Sequence, residues 1–219
     1  MMSKLKQFGE NVDGYNIPVL NEREIRAAAG ILFLFTFLSL MLIILNGNFS
    51  MIKYVISGFM MDFAIRVLIS PRYAPTLVIG RLIVSRQNPE YVGAAQKKVA
   101  WIIGLGLSLI MFGLMVILNS YSIITGLICF ICLIFLFFES SFGICLGCLF
   151  YKWIKKEKAQ YCPGEVCEIK NRHDIQKTSF NQILIVVLFG AIMVAMAYLF
   201  QDDFSKSPQD LWILLDNAF

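Results

Sequence analysis

Five long apolar runs, at 27–45, 51–69, 99–118, 122–150 and 183–200, leave this chain very few folds. Crossing the bilayer core takes about 20 residues of helix at 1.5 Å each. In hydrocarbon every backbone N–H and C=O must be satisfied within its own element, so runs of this length form helices. The 219 residues are 58% apolar, more than one soluble core could hide. The expected fold class is therefore all-α. It is a polytopic transmembrane helix bundle of about five spans: a four-span core plus a C-terminal span. No internal repeat and no low-complexity linker divides it, so residues 1–219 read as a single membrane domain. Residues 1–26 are polar and carry no cleavable signal or lipid-attachment pattern, which predicts that the first run stays in the mature protein.

Charge orients the spans. If they alternate, segments 1–26, 71–98 and 152–178 share one side and hold 16 of the 19 Lys and Arg residues. Lys53 and Lys206 fall to the other side, and Arg66 lies within the second span. The positive-inside rule then places the N-terminus in the cytoplasm and the C-terminus outside, in a bacterial inner membrane. The fourth run has 29 residues, about 43 Å if straight and helical, so it must tilt, kink or be divided. Dividing it near Glu139 would move Lys152, Lys155, Lys156 and Lys158 outside. A single long span is the expectation.

Local signals fill in the ends. Asn21 with Glu24 three residues on marks a helix start, and Leu20 with Ile25 is placed as a hydrophobic staple. Trp101, Tyr151 and Trp153 suit the headgroup layer, and Pro71 stops the second span. Residues 76–88, with a polar strip at Arg81, Ser85 and Asn88, read as a short helix on the inner surface. Ser207-Pro208 reads as the start of a second surface helix containing Trp212, on the outer side.

Three ionisable residues fall inside spans. Asp62 and Arg66, four apart, share one helix face, and Glu139 lies in the fourth span. Such groups line a polar pocket or proton path, or they pair and pin helices together. The pinning reading leads, with Glu139 accepting from Arg66 or from a hydroxyl. The single histidine, His173, has no second histidine as a metal partner and reads as a solvated surface residue.

The six cysteines form three pairs: Cys129-x-x-Cys132, Cys145-x-x-Cys148 and Cys162-x-x-x-x-Cys167. The first pair, among uniformly apolar neighbours, reads as packing. A C-x-x-C at a helix end can hold a low-pKa thiolate and cycle with a disulfide; Cys145 and Cys148, flanked by Gly143 and Gly147, fit that chemistry. Pro163-Gly164 turns Cys162 towards Cys167. The same inner four also have spacing suited to an all-thiolate zinc or iron–sulfur site, although no cofactor is required. A permanent structural disulfide fits poorly in a reducing compartment. Cys129 and Cys145 stand about 24 Å apart along one helix and are rotated by about 160°, so direct thiol exchange between them is excluded on a continuous helix.

Residues 18–23, 62–66, 71–75, 89–96 and 142–148 resemble a bacterial integral-membrane family, domain of unknown function 4395, in a Bacteroidota-like form. The similarity spans about residues 15 to 170, and Gly143-Ile144-Cys145-Leu146-Gly147-Cys148 is its most specific part. The resemblance implies a multi-span inner-membrane protein and an association with thioredoxin- and rhodanese-type sulfur proteins; it implies no established activity.

Three functions follow as expectations. The first is a thiol protein handling reducing equivalents or sulfur through Cys145 and Cys148, with Cys162 and Cys167 exchanging with a cytoplasmic thioredoxin- or rhodanese-like partner. The second is a non-catalytic subunit of an inner-membrane complex, whose inner cysteines hold a structural metal. The third is a small-solute transporter built on Asp62, Arg66 and Glu139, disfavoured by the absence of a repeat. A quinone-linked disulfide generator of the VKOR type needs cysteines on the oxidising side and is disfavoured too. Membrane lipid is a partner by construction. Nucleic acid is not, because the basic residues are accounted for by topology.

Overall fold

Helix α1 starts where the sequence places it. The Asn21 side chain accepts from the Arg23 N–H, and α1 runs from Glu22 to Asn46. The computed structural model describes residues 8–144 and 177–210. Within them follow α2 (Ser50–Ala64, extended by a π-helical turn, Ile65–Ile69), α3 (Pro75–Ile83) and α4 (Ala94–Phe112, extended by a π turn, Gly113–Ile117). Then come α5 (Ile123–Phe137, with a π turn, Phe138–Phe142), α6 (Phe180–Leu199) and the short α7 (Gln201–Ser205). Helices α1, α4, α5 and α6, counted with their π turns, are long and apolar enough to cross a membrane. Helix α2 runs unbroken from Ser50 to Ile69 beside them but carries Lys53, Asp62 and Arg66. The protein is an all-α polytopic membrane protein.

Two small strand pairs tie off the ends of the bundle. At one end β1 (Val19–Asn21) pairs antiparallel with β2 (Tyr91–Gly93), joining the approaches to α1 and α4. The start of α6 is held at this end as well, through Gln182 Nε2 donating to the Arg72 carbonyl at 2.8 Å. At the other end the buried Lys53 donates to Asn119 Oδ1 (2.7 Å) and to the Lys206 carbonyl (2.8 Å). There β3 (Ser120–Tyr121) pairs in parallel with β4 (Gln209–Asp210). These contacts run α1, α2, α4, α5 and α6 alternately up and down.

The core has two layers. Near the β1–β2 end, Ile25, Ala29 and Leu32 of α1 meet Phe59 and Phe63 of α2, Leu77 of α3 and Trp101 of α4. Near the other end Ile52, Ile56, Met111, Met115 and Ile128 pack together. Many large apolar side chains remain exposed, including Ile44, Leu68, Ile123 and Val194, as a surface facing lipid requires. Helix α6 lies at the periphery, with Gln182 as its buried residue.

Three expectations are corrected. The fourth run is not one continuous helix to residue 150. The helix begun at Ile123 closes at Phe142, because Gly143 takes the left-handed conformation (φ 67°) that glycine adopts without strain and that closes a helix. The segment at 76–88 is not a surface helix. Helix α3 is buried against α1, with Thr76, Leu77, Val78 and Arg81 inside. A Cβ on Gly80 would stand 2.6 Å from the Glu24 carbonyl oxygen, so α3 approaches α1 as closely as it does because residue 80 has no side chain. Finally, Gln209–Asp210 is a strand rather than the first turn of a helix, since the Gln209 N–H is taken by the Asn119 carbonyl at 2.8 Å. Trp212 lies outside the described residues.

Candidate functional site

Charged side chains converge at the β1–β2 end, and most of them are buried. Glu22 and Glu24 sit in the first turn of α1, where the helix dipole favours carboxylates. Each also needs a cation, because a buried carboxylate without one is costly. Glu22 Oε2 has Lys97 Nζ at 2.8 Å, and the same ammonium pairs with Glu139 Oε1. Lys97 thus joins α1, α4 and the π turn after α5. Glu24 Oε2 pairs with Arg81 Nε at 3.1 Å, tying α1 to α3, while its Oε1 accepts from Asn21 Nδ2 at 3.0 Å. Arg23 reaches Glu90 at 2.6 Å, just before β2.

Asp62 and Arg66 form a second, separate knot. Arg66 Nε donates to Asp62 Oδ2 at 2.7 Å and its Nη2 donates to Thr76 Oγ1 at 2.6 Å. That hydroxyl donates on to Asp62 Oδ2 at 2.7 Å, and the Thr76 N–H donates to Asp62 Oδ1 at 2.9 Å. The guanidinium lies over the Phe63 ring (4.6 Å) and the Trp101 ring (5.0 Å). Asp62 is fully buried and accepts three hydrogen bonds, a geometry suited to clamping α2 onto α3. The sequence expectation gave Glu139 Arg66 or a hydroxyl as its partner; in the structure its partner is Lys97. Lys97 itself was hidden in the sequence, where it reads as one more basic residue of a cytoplasmic segment. Its position four residues before Trp101, at the mouth of a span, was the available signal.

Cys129 and Cys132 are free thiols turned into the bundle. Cys129 packs with Ile52, Met111 and Ile128, and Cys132 lies against the same cluster. Cys132 also lines a cavity of about 70 Å³ that Arg66, Trp101 and Glu139 share. Replacing both cysteines with alanine removes two sulfurs from packed surroundings. It should cost about 1–2 kcal/mol in total, read as a modest fall in melting temperature in detergent. A loss of activity without that fall would assign the pair a chemical role.

The other predicted site residues, Cys145, Cys148, Cys162, Cys167 and His173, lie outside the described residues. The approach to the first pair is described. At Gly143 the chain leaves α5 against α1, and a Cβ there would stand 3.4 Å from the Arg26 guanidinium. Arg26 Nη2 donates to the Ser141 carbonyl at 3.1 Å, so a cation closes the negative end of the helix. Among the described residues no group of three or more His, Cys, Asp and Glu side chains could hold a metal ion. On the far side of α1 from Arg26, a cavity of about 370 Å³ opens between the N-terminal segment, α1 and α3.

The chain belongs to the family described as domain of unknown function DUF4395, whose profile matches residues 20–156. The matched stretch takes in α1 through α5, both charged knots, and the Cys145-x-x-Cys148 sequence. No curated protein and no solved structure matches the chain.

Proposed function

We propose that this is an inner-membrane thiol protein that passes reducing equivalents or sulfur through Cys145 and Cys148 on the cytoplasmic side. The observation that carries this reading is the end of α5. Gly143 stops the helix two residues before Cys145, and the Arg26 guanidinium stands beside that stop. A cation near a thiol favours the thiolate, which is the nucleophile in exchange. The outer pair is walled into the core, which leaves the inner four as the working thiols. In the reaction proposed, one thiolate of a reduced cytoplasmic thioredoxin-like partner attacks the Cys162–Cys167 disulfide, and its second cysteine resolves the mixed disulfide, so the partner departs oxidised and Cys162 and Cys167 are left as a dithiol. That dithiol reduces the Cys145–Cys148 disulfide by the same two-step exchange, and the reduced pair passes the two electrons on to a substrate disulfide.

The test uses the full chain in its membrane. An impermeant thiol reagent applied to intact spheroplasts should leave all six cysteines unmodified, while a Ser207→Cys variant should react. After membranes are opened and poised across cytosolic potentials, Cys145 and Cys148 should move between dithiol and disulfide by alkylation mass shift. Cys145→Ser or Cys148→Ser should abolish the shift, and Cys129→Ser with Cys132→Ala should not. Labelling of Cys162 or Cys167 from outside would overturn the orientation. Four inner thiols that never oxidise, with about one zinc per chain, would replace the thiol reading with a structural site.

A further inference from the structure

A cavity of about 370 Å³ opens between the N-terminal segment, α1 and α3. Its charged lining comes from Glu10, Glu24, Arg72 and Arg81, and Leu77 and Trp101 supply apolar wall. At about 370 Å³ it falls within the usual range for small-molecule sites, roughly 300–1,000 Å³. Two guanidinium groups facing two carboxylates make the lining formally neutral. A ligand carrying one net charge would leave a lining group of that same sign uncompensated.

Arg81 carries a second observation. It is 4% exposed, and although its Nε is committed to Glu24, its Nη1 is buried without a hydrogen-bond partner among the described residues. A buried guanidinium N–H left in this state costs free energy that an incoming acceptor would recover. Arg72 is exposed at the rim. Glu24 oxygens already accept from Asn21 and Arg81, yet each carboxylate oxygen has a second lone pair. Leu68 (76% exposed) and Ile69 (58%), which directly precede the lining residues Ser70, Pro71 and Arg72 in the chain, are exposed apolar side chains.

We infer that this cavity binds a small zwitterion, with its acidic group, phosphate or carboxylate, on Arg81 and Arg72 and its ammonium towards Glu10 and Glu24. Two sources carry that chemistry: an aminophospholipid headgroup entering from the membrane, or a free amino acid entering from solution. The site is independent of the thiol reading and survives its failure.

Glycerophosphoethanolamine and leucine are the zwitterionic probes. Glycerophosphoglycerol is the anionic control and ethanolamine the cationic one. Each is titrated against the delipidated full-length protein in detergent by thermophoresis. At least one zwitterion should bind roughly tenfold more tightly than both controls, a difference of about 1.4 kcal/mol. Arg81→Lys keeps a cation for Glu24 but loses the forked donor, and should weaken that binding about tenfold or more. Arg72→Gln, at an exposed position, should weaken it with the melting temperature unchanged, which separates binding from folding. Binding of glycerophosphoethanolamine, with phosphatidylethanolamine retained in native mass spectra, identifies the lipid; binding of leucine identifies the free solute. Equal binding of the anionic control would overturn the inference. So would no binding by any probe together with no retained aminophospholipid.

Discussion

Replacing Lys97 with methionine should destabilise the protein by about 3–5 kcal/mol, the range for removing one partner from a buried ion pair. Lys97 is 1% exposed, and its ammonium stands between Glu22 and Glu139. Without it two carboxylates face each other in a low-dielectric setting, each losing its cation and each repelling the other. Three elements come apart together, because this ammonium links the start of α1, the start of α4 and the end of α5. The expected readout is loss of the monodisperse peak in detergent and a sharp fall in melting temperature. The triple variant Glu22→Gln, Lys97→Met, Glu139→Gln removes all three charges and should recover much of the loss. A Lys97→Met protein as stable as the parent would show that the triad does not hold these three elements together.

The triad also shows where sequence reasoning stopped. Apolar runs, alternating charge and the Asn21–Glu24 cap are properties of local sequence, so the helices and the start of α1 were legible. The shared face of Asp62 and Arg66 follows from a spacing of four. Partners such as Lys97–Glu139 and Arg81–Glu24 lie 42 and 57 residues apart, and no periodicity encodes them. Helix α3 was misread because apolar residues around most of its turn suit a lipid surface and a protein interior equally. Gly80 decides between the two, by letting α3 close on the α1 backbone. The end of α5 was misplaced for a related reason. Glycine is ordinary inside transmembrane helices. Only the docking of Arg26 on the Ser141 carbonyl distinguishes Gly143 as a terminator. The charge rule says which side a loop occupies and not where the preceding helix ends.

Asp62→Ala should cost a similar amount, about 3–5 kcal/mol, and the pattern across substitutions tells a clamp from a proton path. Alanine strips Arg66 of its counter-charge while the guanidinium stays packed over Phe63 and Trp101. It also orphans the Thr76 N–H, which has Asp62 Oδ1 as its acceptor, at about 1–3 kcal/mol for a buried group. Asp62→Asn keeps an acceptor for Thr76 but not the charge, and should fall between parent and alanine. Asp62→Ala combined with Arg66→Met removes the stranded cation and should recover part of the loss. Recovery stays incomplete because the Thr76 N–H still lacks its acceptor at the head of α3. The measurement is the folded fraction by size exclusion and the melting temperature of each variant. If Asp62→Ala instead folds like the parent and loses transport or proton coupling, the three hydrogen bonds on this carboxylate serve conduction, and the clamp reading fails.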